Sequence, residues 1–175
     1  TSTDDVKRMF GNKARVTWHR TGDRVRMLAG LDAVADGAQP AERARQFLDR
    51  HAAFLGLPSH DLMADAPVVS RSNVRVRLQQ MHQGVVVFGR DVVVRFDATG
   101  TRVRSVTLNI ADLKDLRSPA TDIGTEGAVA TARAHLKGMP TDAAPRVSKV
   151  ILPGAPPVFA YRVVAPSVMP MGRQA

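Results

Sequence analysis

The sequence predicts an α+β fold in which antiparallel sheets are each packed with a helix. Three observations carry that expectation: alternating strand patterns from Val74 to Ile110, apolar stripes at helical spacing after Pro40 and after Thr125, and turn-bounded hairpins in both halves of the 175-residue chain. No fixed-period repeat accompanies them, although a helix with a hairpin occurs in each half.

Taken in order, Ala14 to Trp18 alternates, and Arg24 to Leu28 follows across a Thr21-Gly22-Asp23 turn, which reads as a hairpin with Val16, Trp18, Val25 and Met27 as apolar contributors. From Pro40 to Leu57 the period becomes helical: Ala44, Phe47, Leu48, Ala52 and Leu55 recur at three and four, and Gly56 and Pro58 end the run. Val74 to His82, Val85 to Asp97 and Arg102 to Ile110 then read as a meander of three antiparallel strands, with Gly84 marking a turn, Gly89 a bulge, and Asp97-Ala98-Thr99-Gly100 the second turn. Ala111 to Gly124 lacks periodicity and reads as a linker. Thr125 suits an N-cap, Glu126 the positive end of a helix with a stripe of Ala128, Val129, Ala132 and Leu136, and Gly138 its end. Arg146 to Leu152 and Pro157 to Val164 form a last hairpin across Pro153-Gly154-Ala155-Pro156, and the tail from Ala165 has no readable element.

Composition narrows the chemistry. The 44% hydrophobic content is too high for a disordered chain, and no apolar run approaches the roughly 18 residues that span a bilayer as a helix, so no membrane span is expected. With no cysteine there is no disulfide, thiolate metal site or thiol nucleophile. His19, His51, His60, His82 and His135 never stand at the four-residue helical spacing of a zinc-binding pair. No Gly-x-Ser-x-Gly elbow and no phosphate-cradling Gly-Lys-Ser/Thr loop occurs. Asp91, Asp97, Asp112, Asp115 and Asp122 read as turn and strand-end carboxylates, and the Asp97 turn lacks the alternating oxygens of a calcium loop. No catalytic residue, metal ligand or cofactor is therefore assigned to this chain. Thr1 stands where a Met would begin a full reading frame, so the chain reads as trimmed and export stays open.

The net charge of +9 is concentrated between residues 71 and 104, where seven arginines face two aspartates. In Val74-Arg75-Val76-Arg77-Leu78 the alternation puts the valines and leucine on one face and the arginines on the other, and Arg95, Arg102 and Arg104 decorate later strands. Arg75, Arg95, Arg102 and Arg104 form a candidate cationic docking face. An acidic protein suits it better than nucleic acid, because Trp18 and Tyr161 fall outside the basic sheet and Phe88 and Phe96 sit among core-like neighbours.

The stretch from Val76 to Gly89 resembles the signature of the fungalysin and thermolysin propeptide (FTP) domain: Arg77, two residues, Gln80, three residues, Gly84, two residues, Val87, then Phe88-Gly89. The succession of strands and turns after it matches the same family. The hairpin of Trp18 and the helix around Phe47 resemble the amino-terminal part of such propeptides, and the Glu126 helix with the Phe159-to-Val163 strand resembles the PepSY domain that follows. Arg90 departs from the pattern, standing where these propeptides often carry a second glycine. The chain also stops at Ala175, before the aromatic-led strand and turn that usually close a PepSY unit.

The resemblance implies two consecutive propeptide-type domains: an FTP-like domain over 1–112, a linker over 113–124, and a PepSY-like domain over 125–175 that is incomplete at its end. It further implies the prodomain of a secreted or periplasmic zinc metallopeptidase, acting as intramolecular chaperone and inhibitor. The partner is then the cognate peptidase domain, which would hold the zinc. Arg77, Gln80, Gly84, Val87 and Gly89 are the family positions, structural or docking in role. The alternative is a stand-alone secreted peptidase inhibitor or protein-binding module; a nucleic-acid module is disfavoured and would show steep salt dependence.

Overall fold

The computed structural model describes residues 2–22, 24–57, 62–119, 121–135, 139–140, 143–165 and 167–168. They fall into two compact units, Thr1–Asp112 and Leu113–Ala175. Among the described residues no helix is long and apolar enough to cross a membrane, which leaves a strand-built span untouched.

The first unit begins with a helix absent from the sequence reading, α1 (Thr3–Phe10). Its start is a capping box: Ser2 Oγ accepts from Asp5 N at 3.2 Å and Asp5 Oδ2 accepts from Ser2 N at 2.8 Å, so two otherwise orphaned amides are satisfied together. Strand β1 (Arg15–Trp18) follows and pairs with β2 (Val25–Val34), which runs beyond the Leu28 expected as its end. The longer strand is possible because Leu28 and Leu31 both reach the core although a bulge separates Ala29 from Ala33 in the ladder.

The single helix read over Pro40 to Leu57 is two, α2 (Pro40–Arg50) and α3 (Ala52–Leu55), broken at His51. Gly56, left-handed at φ +64°, caps the second as expected, while Pro58 and His60 lie outside the described residues. The break leaves the apolar stripe on one side: Ala44, Phe47, Leu48 and Leu55 are buried. His51 packs against the rings of Phe10 and Phe47, with centroids 4.9 and 4.7 Å away, and its burial, helped by the adjacent Arg50 charge, holds its pKa below the usual histidine range.

Next come β3 (Leu62–Ala64), β4 (Val68–Val69), β5 (Val74–His82), β6 (Val85–Phe96) and β7 (Arg102–Asn109). The expected meander is present, and the strand order is β1-β2-β7-β6-β5-β3 with β4 also on β5, every pairing antiparallel. Strand alternation assigns the faces. Val74, Val76, Leu78, Val92, Val94, Phe96, Val103, Val106 and Leu108 point inward and join α1, α2 and α3 in one apolar cluster with Leu28 and Leu31. Burial of each large side chain there contributes about 1.5–3 kcal/mol. The helices described in this unit, α1, α2 and α3, all contribute buried residues to that inner cluster.

The second unit holds α4 (Gly124–His135), β8 (Met139–Pro140), β9 (Arg146–Leu152), β10 (Val158–Val164) and β11 (Ser167–Val168). The stretch read as a linker starts this unit: Leu113 is buried, Leu116 N donates to Leu113 O at 3.1 Å, and Arg117 N donates to Pro157 O at 3.1 Å. Helix α4 begins one residue before Thr125, and the side-chain acceptor at its start is Asp122, which takes Gly124 N at 3.0 Å. The remainder of its expected end, Leu136 to Gly138, lies outside the described residues. Strands β9 and β10 pair in full antiparallel register from Val158↔Leu152 to Val164↔Arg146, and the tail that carried no readable pattern contributes β11, paired with β8. Asp122 also accepts from Tyr161 Oη at 2.7 Å and Lys149 Nζ at 3.1 Å, tying the start of α4 to both strands. Those bonds, led by the Tyr161 hydroxyl and then the Gly124 amide, hold its pKa down to about 2.

Candidate functional site

The residues singled out from the sequence converge on two places in the first unit: an irregularity in the β5–β6 ladder and the open face of the same sheet.

The hairpin joining β5 and β6 has a two-residue loop, Gln83-Gly84, closed by His82 opposite Val85. Both loop residues have positive φ, +50° and +78°, the backbone sense that follows the right-handed twist of the strands. Gly84 is therefore a backbone requirement. Beyond the turn the ladder slips: Met81 faces Val86, but Gln79 faces Asp91, so Gln80 alone stands against Val87, Phe88, Gly89 and Arg90. Gly89, at φ +66°, lets the extra residues loop out, and Val87 is fully buried without belonging to the apolar cluster of the inner face.

Gln80 is the one fully buried polar side chain among the described residues. Its Nε2 donates to Ala111 O at 3.0 Å and its Oε1 accepts from Ala111 N at 2.8 Å. The side-chain amide thus completes a ladder rung that the bulge has interrupted, and pins the chain just past β7. Leaving either Ala111 group unpaired in this apolar setting would cost about 1–3 kcal/mol. Arg90, the departure from the family pattern, is absorbed locally: its Nη1 donates to Asn109 Oδ1 at 2.6 Å while Asn109 Nδ2 donates to Gly89 O at 3.0 Å. The two bonds clamp the bulge to β7. Arg77 reaches diagonally to Asp91, Nε to Oδ2 at 2.6 Å.

On the open face, residues directly opposite one another form rows across the sheet. One row runs Arg15, Ala29, Ser105, Arg95, Arg75, Val68; the next Thr17, Met27, Thr107, Val93, Arg77; a third Asn109, Asp91, Gln79, Met63. Arg102 and Arg104 lie toward the β2 side, where both meet Asp32. Arg102 donates from Nε at 2.8 Å and from Nη2 at 2.9 Å to the two carboxylate oxygens, and Arg104 Nη1 donates to Oδ1 at 2.6 Å. The Arg102 bonds hold the Asp32 carboxyl below its ordinary range.

Asp32 and Arg15 had no part in the sequence reading. Asp32 lies 70 residues from Arg102, and only the strand register places it there. The Ala111 partner of Gln80 was hidden for the same reason. Asp97 has the turn role expected of it, its Oδ1 accepting from Thr99 Oγ1 at 2.9 Å and from Thr101 N at 3.1 Å.

What these residues define is a braced antiparallel meander with an open, charged face. The segment matches a known family model: residues 73–109, about a fifth of the chain, match the Fungalysin/Thermolysin Propeptide Motif. The match takes in β5, β6, β7 and both turns between them, and Arg77, Gln80, Gly84, Val87 and Gly89 all fall within it. No curated protein matches the chain.

Proposed function

We propose that the chain is the prodomain of a secreted zinc metallopeptidase of thermolysin or fungalysin type, serving the peptidase domain of its own precursor as intramolecular chaperone and inhibitor. The observation that carries the reading is the propeptide motif over residues 73–109, with its polar members used to brace the sheet: Gln80 on Ala111 and Arg77 on Asp91. The domain order is an FTP-like domain over 1–112 and a PepSY-like domain over 125–175. The chain itself performs no chemistry. The zinc and its ligands belong to the peptidase domain, and the place of action is outside the cytoplasm, where such peptidases are secreted.

A prodomain of this kind works by binding. Any surface that holds native peptidase more tightly than unfolded chain shifts the folding equilibrium by mass action, about 2.7 kcal/mol at a hundredfold excess over Kd. The same complex inhibits if it covers the cleft. Hydrolysis of a peptide substrate by the mature peptidase domain is expected to fall as this chain is titrated in. Unchanged kinetics at saturating chain would refute the inhibitory half of the reading.

A further inference from the structure

The arginines of the open sheet face are not equivalent. Arg102 and Arg104 share one carboxylate, Asp32, which offsets one of their two charges within the chain, and Arg77 is paired with Asp91. Arg75 and Arg95 stand directly opposite each other on β5 and β6, both exposed, with no carboxylate partner among the described residues. Like charges in that relation destabilise a ladder. The fold supplies acids to the arginines on either side and leaves this pair uncompensated. Arg15, also exposed, carries a third such charge at the far end of the same row, across the small floor of Ala29 and Ser105. Apolar side chains border the pair: Val68, 53% exposed, opposite Arg75 at the β4 edge, and Val93, two residues from Arg95 on β6.

We infer that the row from Arg15 through Arg95 and Arg75 to Val68 is a docking surface for an acidic protein surface, with carboxylates meeting Arg75 and Arg95 and an apolar side chain meeting Val68. On the prodomain reading, that surface belongs to the peptidase domain of the same precursor. The charge complementarity chooses the occupant. A second copy would bring arginines against arginines, and the three rows hold no aromatic ring on which nucleic-acid bases could stack. The assignment differs from the face read in the sequence: Arg102 and Arg104 leave it and Arg15 enters.

Two double variants remove the same formal charge from the two places, Arg75→Gln with Arg95→Gln and Arg102→Gln with Arg104→Gln. Binding of the full chain to immobilised peptidase domain, to poly-L-glutamate and to duplex DNA is measured at low and high salt, with thermal melts confirming the fold. The first variant is expected to lose about tenfold in affinity for the peptidase domain, mostly in association rate, and the second less than about threefold. Equal losses in the two variants, or no loss in the first, would overturn the docking surface while leaving the prodomain reading intact. Conversely, no binding of the peptidase domain, together with poly-L-glutamate binding that depends on Arg75 and Arg95, would remove the prodomain reading and keep the surface. Tighter binding of DNA than of poly-L-glutamate, lost in the first variant, would overturn the acidic-protein assignment.

Discussion

The two faces of the first unit's sheet obey opposite rules. On the inner face every strand residue from Val74 to Leu78 and from Val92 to Phe96 that points at the helices is apolar and buried. On the outer face, one residue away along the same strands, Arg75 and Arg95 oppose each other with no carboxylate partner among the described residues. Stability lives on one side. The other side carries features that serve the isolated fold poorly, which is where a binding role is to be sought.

The sharpest break in that contrast comes from neighbouring residues on β6. Phe96→Ala, removing a buried ring, is expected to lose about 3–5 kcal/mol in chemical denaturation. Arg95→Ala beside it should change stability by no more than about 0.5 kcal/mol. Comparable losses from the two would abolish the distinction between the faces. Gln80→Ala comes next, at about 2–3 kcal/mol, because it orphans both polar groups of Ala111. Hydrogen exchange gives a readout specific to that bond: the Ala111 amide should lose its protection.

Arg75→Gln with Arg95→Gln should leave the melt unchanged or raise it slightly, by up to about 0.5 kcal/mol, since a like-charge rung is relieved. A clear loss would mean that the pair has an internal role. The smallest effect belongs to the second unit and to pH. Asp122, with its pKa depressed to about 2, binds its proton less readily folded than unfolded. Its contribution is therefore present above the ordinary carboxylate range and disappears as pH falls from about 4 through 2. Because the chain has one Trp and one Tyr, Trp18 and Tyr161, emission from each reports a different unit. The Tyr161 signal should show this acid step, and Asp122→Asn should flatten it.

Much of this architecture was legible in the sequence because it depends on local periodicity. Alternation in Val74-Arg75-Val76-Arg77-Leu78 assigns the faces, and Gly84 marks the turn, before any partner is known. The break at His51 was hidden by a stripe that continues across it, with Phe47, Leu48 and Leu55 buried on both sides. Helix α1 had a readable signal, Ser2 followed three residues later by Asp5, without an apolar run long enough to draw attention. What stayed out of reach depends on register between distant strands. Asp32 beneath Arg102, Ala111 across from Gln80, and Arg15 in line with Arg75 are set by ladders whose slips at Gln80 and after Ala29 no local pattern announces.

As the proposed prodomain, this chain would be a folding partner for a metallopeptidase domain, and refolding tests that role directly. Denatured peptidase domain is returned to native conditions with zinc, with and without an equimolar amount of the chain, and recovered activity is measured after the chain has been removed. Substantially greater recovery is expected with the chain present. Equal recovery with and without it would contradict that role.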